Sequence, residues 1–95
     1  MNSNSAFLTS TSKFRLYQPI EGEHTEVFSL FASDLLEASL MFKSIFNPEY
    51  KKTGIRDAKD GDVIHDLYLN KAYLLCEIGF IEIINFNITN PNHEE

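Results

Sequence analysis

The chain is short of cysteine and of basic residues. Cys76 is its single thiol, so no disulfide can close within it, whereas a secreted domain of this size ordinarily carries several. A reducing compartment is expected, with the protein in the cytoplasm. The start, Met1-Asn2-Ser3-Asn4-Ser5-Ala6-Phe7-Leu8, has neither the basic nor the apolar region of an export signal. The longest mainly apolar stretch, Ala72 to Ile84, is broken by Glu77 and Glu82 and falls short of the roughly 20 residues a spanning helix needs. No membrane partner is expected.

Only 8 Lys and Arg face 14 Asp and Glu, a formal net charge of −6, and such a field repels phosphate backbones. Direct nucleic-acid binding is therefore not expected. A basic partner is the better electrostatic match, although the same charge also serves simply to keep a small domain soluble. Gly-rich phosphate loops, His-Glu-x-x-His and a serine nucleophile elbow are all missing. No cofactor is expected, and the chain does not read as an enzyme.

Aromatic residues are what it has in quantity: 8 Phe and 4 Tyr among 95 residues, with 43% in the apolar set. A disordered composition is poor in such side chains. The length allows one core and one domain. Residues 1–12 are dominated by Asn, Ser and Thr and read as a flexible arm, residues 90–95 as a disordered tail, and 13–89 as a single α+β domain.

From Lys13 the pattern alternates, with Phe14, Leu16 and Ile20 on one side, which predicts a strand. Pro19 places its end at an edge or a bulge. Glu21-Gly22 supplies a turn before the extended run His24 to Ala32, so the two strands form a hairpin. Asp34 then caps a helix, with Glu37 reaching back to the cap. The helix is expected to run to Phe46, where Asn47-Pro48 stops it.

Residues 49 to 66 hold most of the loop character. Asp60-Gly61, between Ile55 and Val63-Ile64, predicts a short hairpin. Leu67 to Thr89 read as two strands, the second long, with Asn70-Lys71 as a turn and Gly79 as a bulge or close approach. A helix over Asp66 to Cys76 is the competing reading, but it would place Asn70 and Lys71 within its Leu67, Leu74, Leu75 stripe. The expected architecture is an antiparallel sheet of four to five strands, order β-β-α-β-β-β, with one helix across one face.

At about 100° per residue, Leu35, Ala38, Phe42, Ile45 and Phe46 share the helical arc that would cover the sheet, leaving Leu36 and Leu40 pointing elsewhere. Either a partner meets those two leucines, or a strand or the arm with Phe7 and Leu8 folds over them. In the last strand Ile78, Phe80, Ile84, Phe86 and Ile88 fall on one face and Ile81 and Ile83 on the other. A sheet apolar on both faces needs two covers. Leu36, Leu40, Ile81 and Ile83 are thus the candidate partner-binding residues, the partner being a second copy or a larger complex.

Asp57, Asp60, Asp62 and Asp66 form the other candidate. Their spacing fails the calcium-loop test, since the third and twelfth positions from Asp57 are Lys59 and Tyr68, and an acidic turn is the plainer reading. Functionally they suggest an acidic mimic of nucleic acid, of the kind phage encode, blocking the basic site of an enzyme. Cys76 would be a nucleophile only with a base such as His24 or His65 beside it; among Tyr73, Leu74, Leu75 and Ile78 it reads as a core residue.

The run Val27-Phe28-Ser29-Leu30-Phe31-Ala32-Ser33-Asp34, with Ala38 beyond it, resembles the strand-to-helix junction of small accessory proteins, including a structural subunit of bacterial phenylacetyl-coenzyme A oxygenases. The resemblance ends by Phe46 and brings no functional residue with it. The composite expectation is a small non-catalytic interaction module, an assembly subunit or regulator.

Overall fold

The computed structural model describes residues 11–84 and Phe86. Five strands form one antiparallel sheet in the spatial order β2-β1-β3-β4-β5. They are β1 (Ser12–Ile20), β2 (Glu23–Ala32), β3 (Val63–Asp66), β4 (Lys71–Cys76) and β5 (Gly79–Ile83). The helices α1 (Leu35–Met41) and α2 (Pro48–Lys51) lie between β2 and β3. This is the expected α+β order. The expected arm and tail fall outside the described residues except for Thr11 and Ser12, and Ser12 already pairs with Ala32.

Glu21 and Gly22 both take positive φ, 53° and 86°, the tight-turn conformation that matches the twist of the flanking strands. The β1–β2 register shifts between Leu16 and Tyr17, so Val27 is an extra residue and bulges. Pro19 pairs with His24 beyond the last β1–β3 pair at Tyr17–Val63. Its missing N–H therefore costs no ladder bond on that side. Asn70, at φ 57°, closes the turn between β3 and β4, so residues 66–76 are turn and strand rather than helix.

Asp34 caps α1 as expected, accepting from the Glu37 N–H at 2.8 Å, and Glu37 returns to the Ser33 N–H and hydroxyl at 2.6 and 2.9 Å. The helix then stops at Met41 rather than Phe46. Long-range bonds end it: the Phe42 carbonyl accepts from the Ala58 N–H at 3.0 Å, and Asp57 accepts from the Ser44 N–H at 2.8 Å. Ile45 and Phe46, expected on the buried arc, are consequently 81% and 52% exposed. Asn47-Pro48 starts α2 as its cap and first residue, Asn47 accepting from the Glu49 N–H.

The interior between sheet and helices contains Phe14, Leu16, Ala38, Phe42, Tyr50 and Ile64. Phe28, Phe42 and Tyr50 meet edge to face, with centroids 5.1 to 6.4 Å apart, the arrangement their ring quadrupoles favour. Residues 55–59 are not a strand, so the hairpin expected at Asp60-Gly61 does not form, although Gly61 (φ 96°) makes the turn. Their backbone bonds instead to the helical layer and to β1: Tyr50 and Gln18 both donate to the Arg56 carbonyl.

The expected long final strand is likewise divided, by a turn at Glu77-Ile78. Register places Tyr17, Val63, Leu74 and Ile81 on the face away from α1. There Tyr17, Val63 and Ala72 form a second, smaller cluster with Leu74, Ile83 and Phe86. Phe86, expected beside Phe80, stacks edge-on against Tyr17 with centroids 5.5 Å apart because the chain turns at Ile84. Ile88 lies outside the described residues.

Candidate functional site

α1 presents two different sides because its period is 3.6 residues. Ala38 is fully buried against the sheet, whereas Leu36 and Leu40 are 61% and 38% exposed. The described residues leave this pair partly open to solvent; Phe7 and Leu8 lie outside them. Ser39, between the two, turns its hydroxyl back to the Leu36 carbonyl at 2.7 Å and so satisfies itself within the helix.

The β4–β5 hairpin stands beside this surface. Ser39 and Lys43 of the helical side and Cys76, Ile78 and Phe80 of the hairpin line a cleft of about 330 Å³. Lys59, Asp60 and Glu77 also reach it, so its charges are of both signs. Lys43 is tied down, its Nζ donating to the Ala58 carbonyl at 3.0 Å. Cys76 donates to the Gly79 carbonyl at 3.4 Å rather than to an imidazole.

Of the sequence-predicted partner residues, Leu36 and Leu40 are exposed on α1 but do not line the cleft, and Ile81 and Ile83 are not on the α1 side of the sheet. Ile81 pairs with Leu74 and Ile83 with Ala72 on the opposite face, where Ile81 is half exposed and Ile83 joins the smaller cluster. The apolar strand residue of β5 on the α1 side is Phe80, opposite Leu75, and Ile78, 89% exposed, lies at the turn that precedes it. The sequence grouped Ile78 with Phe80 by alternation, but only the hairpin turn brings them beside the helix.

The four aspartates do not make one acidic patch. Asp57 is exposed and caps Ser44, and Asp60 is exposed at the turn. Asp62 has no exposure at all: Arg56 holds it with bonds of 2.8 and 3.0 Å, and Gln18 and the Lys59 N–H complete its shell. Asp66, 7% exposed, accepts from the N–H groups of Tyr68 and Leu69 and shapes the β3–β4 turn. Arg56 has its pKa raised by the bond to Asp62, and Tyr50 is pushed up to about 12 by burial and then by the Asp57 and Asp62 charges.

The imidazoles are similarly occupied. His24 bonds the Gly61 carbonyl through Nε2 at 2.9 Å, and His65 Nε2 lies 3.0 Å from the Asn70 side-chain oxygen. Among the described residues no group of three or more His, Cys, Asp or Glu is placed to hold a metal, and no helix is long and apolar enough to cross a membrane. No family model matches the chain, and no curated protein or solved structure matches it either. The resemblance at the Val27–Asp34 junction therefore assigns no family.

Proposed function

We propose that this chain is a small non-catalytic protein–protein interaction module, an assembly subunit or regulator, acting through the outer side of α1 and the β4–β5 hairpin next to it. The observation that carries the reading is the exposure of Leu36 and Leu40 on α1, together with that of Ile78 on the hairpin side of the cleft that Ser39 and Lys43 line. Fully burying a leucine is worth about 1.5–3 kcal/mol, of which this fold forgoes the larger part at Leu36 and a smaller part at Leu40. Large apolar side chains left exposed on one element mark candidate contact surfaces.

An acidic mimic of nucleic acid is the weaker reading, because only Asp57 and Asp60 of its four carboxylates remain on the surface. The test is affinity capture from the native cells with the full chain, with a Leu36→Glu/Leu40→Glu variant, and with an Asp57→Lys/Asp60→Lys variant, each checked by circular dichroism. Loss of a captured protein in the leucine variant alone supports the module. Identical capture by the leucine variant and the unmodified chain contradicts it, and loss in the aspartate variant alone favours mimicry.

A further inference from the structure

The two edges of the sheet are guarded unequally. β2 carries a bulge at Val27, and its outer end, Glu23 to Glu26, is exposed and contains two carboxylates; bulges and charges are the devices that keep edge strands from pairing. β5 has neither a bulge nor a cation. Its one charge, Glu82, has Lys71 of β4 alongside at 3.9 Å.

Hydrogen bonding fixes which backbone groups of β5 face outward. The Leu75 N–H and C=O bond Asp62 and Gly61 on the β3 side, at 2.9 and 3.0 Å. Antiparallel bonding alternates along a strand, so Ala72, Leu74 and Cys76 bond β5 through their partners Ile83, Ile81 and Gly79. Among the described residues no strand pairs with the far side of β5, so Phe80 and Glu82 turn their N–H and C=O groups to an edge that those residues leave open.

We propose that a second copy of this chain pairs there, antiparallel, about a two-fold axis at Ile81. In that register Phe80 of one copy exchanges both backbone bonds with Glu82 of the other, and the reverse, so every outward group of the strand is satisfied. Ile81 meets its own copy in a non-hydrogen-bonded pair, where side chains approach closest. Gly79 lies opposite Ile83, and the turn residues Ile78 and Ile84 flank each end of the seam, at 89% and 71% two of the most exposed apolar side chains among the described residues. Neither like charge faces like: Glu82 lies opposite Phe80. The contact is isologous and closes as a dimer with one ten-stranded sheet, because the β2 edges left outside are the guarded ones. This rests on the reading of the hairpin side as a protein-contact surface and names one partner for it.

The experiment is sedimentation velocity on the full chain over a range of concentrations, with disulfide trapping. The unmodified chain sediments at twice 10.9 kDa, more tightly as salt screens the −6 charge of each copy. Ile81→Lys sets two ammonium groups face to face and gives a monomer; Glu82→Pro, removing an outward N–H, does the same, and circular dichroism keeps each comparison to folded protein. In a Cys76→Ser background, Ile81→Cys cross-links under mild oxidant while Phe31→Cys on β2 does not, a readout independent of affinity. A monomer at all concentrations, or a dimer indifferent to Ile81→Lys and untrapped by Ile81→Cys, overturns the pairing. A dimer dissolved by Leu36→Glu/Leu40→Glu but not by Ile81→Lys also overturns it while leaving the interaction module standing.

Discussion

The Arg56 guanidinium grips the Asp62 carboxylate in a bidentate pair, Nη2 to Oδ1 at 2.8 Å and Nη1 to Oδ2 at 3.0 Å, and only the arginine touches solvent. The pair locks the irregular segment between α2 and β3 onto the Gln18 end of β1. An aspartate that looks like part of a surface charge cluster is thereby an interior anchor.

Breaking that pair from one side leaves a buried charge without its counter-ion, which costs about 3–5 kcal/mol. Because Arg56 is itself 39% exposed and Asp62 keeps its bonds from Gln18 and the Lys59 N–H, Arg56→Ala is expected to lower stability by less than that, about 1–3 kcal/mol, in urea denaturation. Asp60→Ala, at an exposed carboxylate two residues away, is expected to stay within about 0.5 kcal/mol.

Tyr50 is fully buried and donates to the Arg56 carbonyl at 2.6 Å. Its folded pKa, pushed up from 10.0 to about 12, exceeds its unfolded value, so the native state holds the proton longer. The resulting stability is complete below pH 10 and is lost as pH rises from there to about 12. Melting temperature measured across that window should fall steeply for the unmodified chain and less steeply for Tyr50→Phe, which at neutral pH loses about 1 kcal/mol with its hydrogen bond.

The two sides of the helical layer separate cleanly by energy. Phe42→Ala, which empties a fully buried site, should cost about 3–5 kcal/mol. Leu36→Glu should change stability by no more than about 0.5 kcal/mol, since that side chain is mostly wet already. Comparable losses in the two variants would mean that Leu36 is covered in solution.

Asn47 serves two elements, capping α2 through Oδ1 and donating from Nδ2 to the Met41 carbonyl at the end of α1. Asn47→Ala is expected to cost about 1–2 kcal/mol, and Asn47→Asp, which keeps the cap but loses the donor, less. Chemical denaturation of both variants checks the order.

What the sequence disclosed and what it hid divide along range of interaction. The first hairpin was legible from period-two alternation and Glu21-Gly22, and the start of α1 from Asp34 and Glu37, because those signals act within four residues. The end of α1 was not: the atoms that stop it, Ala58 N–H and Asp57 Oδ1, lie far along the chain. Tyr50 sits in a loop-like stretch yet fills the core, and Asp62 shares its spacing with exposed aspartates yet is buried by Arg56. At the candidate surface, the exposure of Leu36 and Leu40 follows from helical geometry, while Ile78 and Phe80 are masked by their place in an apolar run, in which alternation alone carries no sign of the turn at Glu77-Ile78.

Backbone amide exchange in the full chain, alone and within the complex it forms, bears most directly on where the protein makes contact. Slowed exchange should concentrate in residues 35–43 of the helical side and 77–82 of the hairpin. Slowed exchange confined to β2 or to residues 57–62, with the helix and hairpin unchanged, contradicts the assignment of the contact surface.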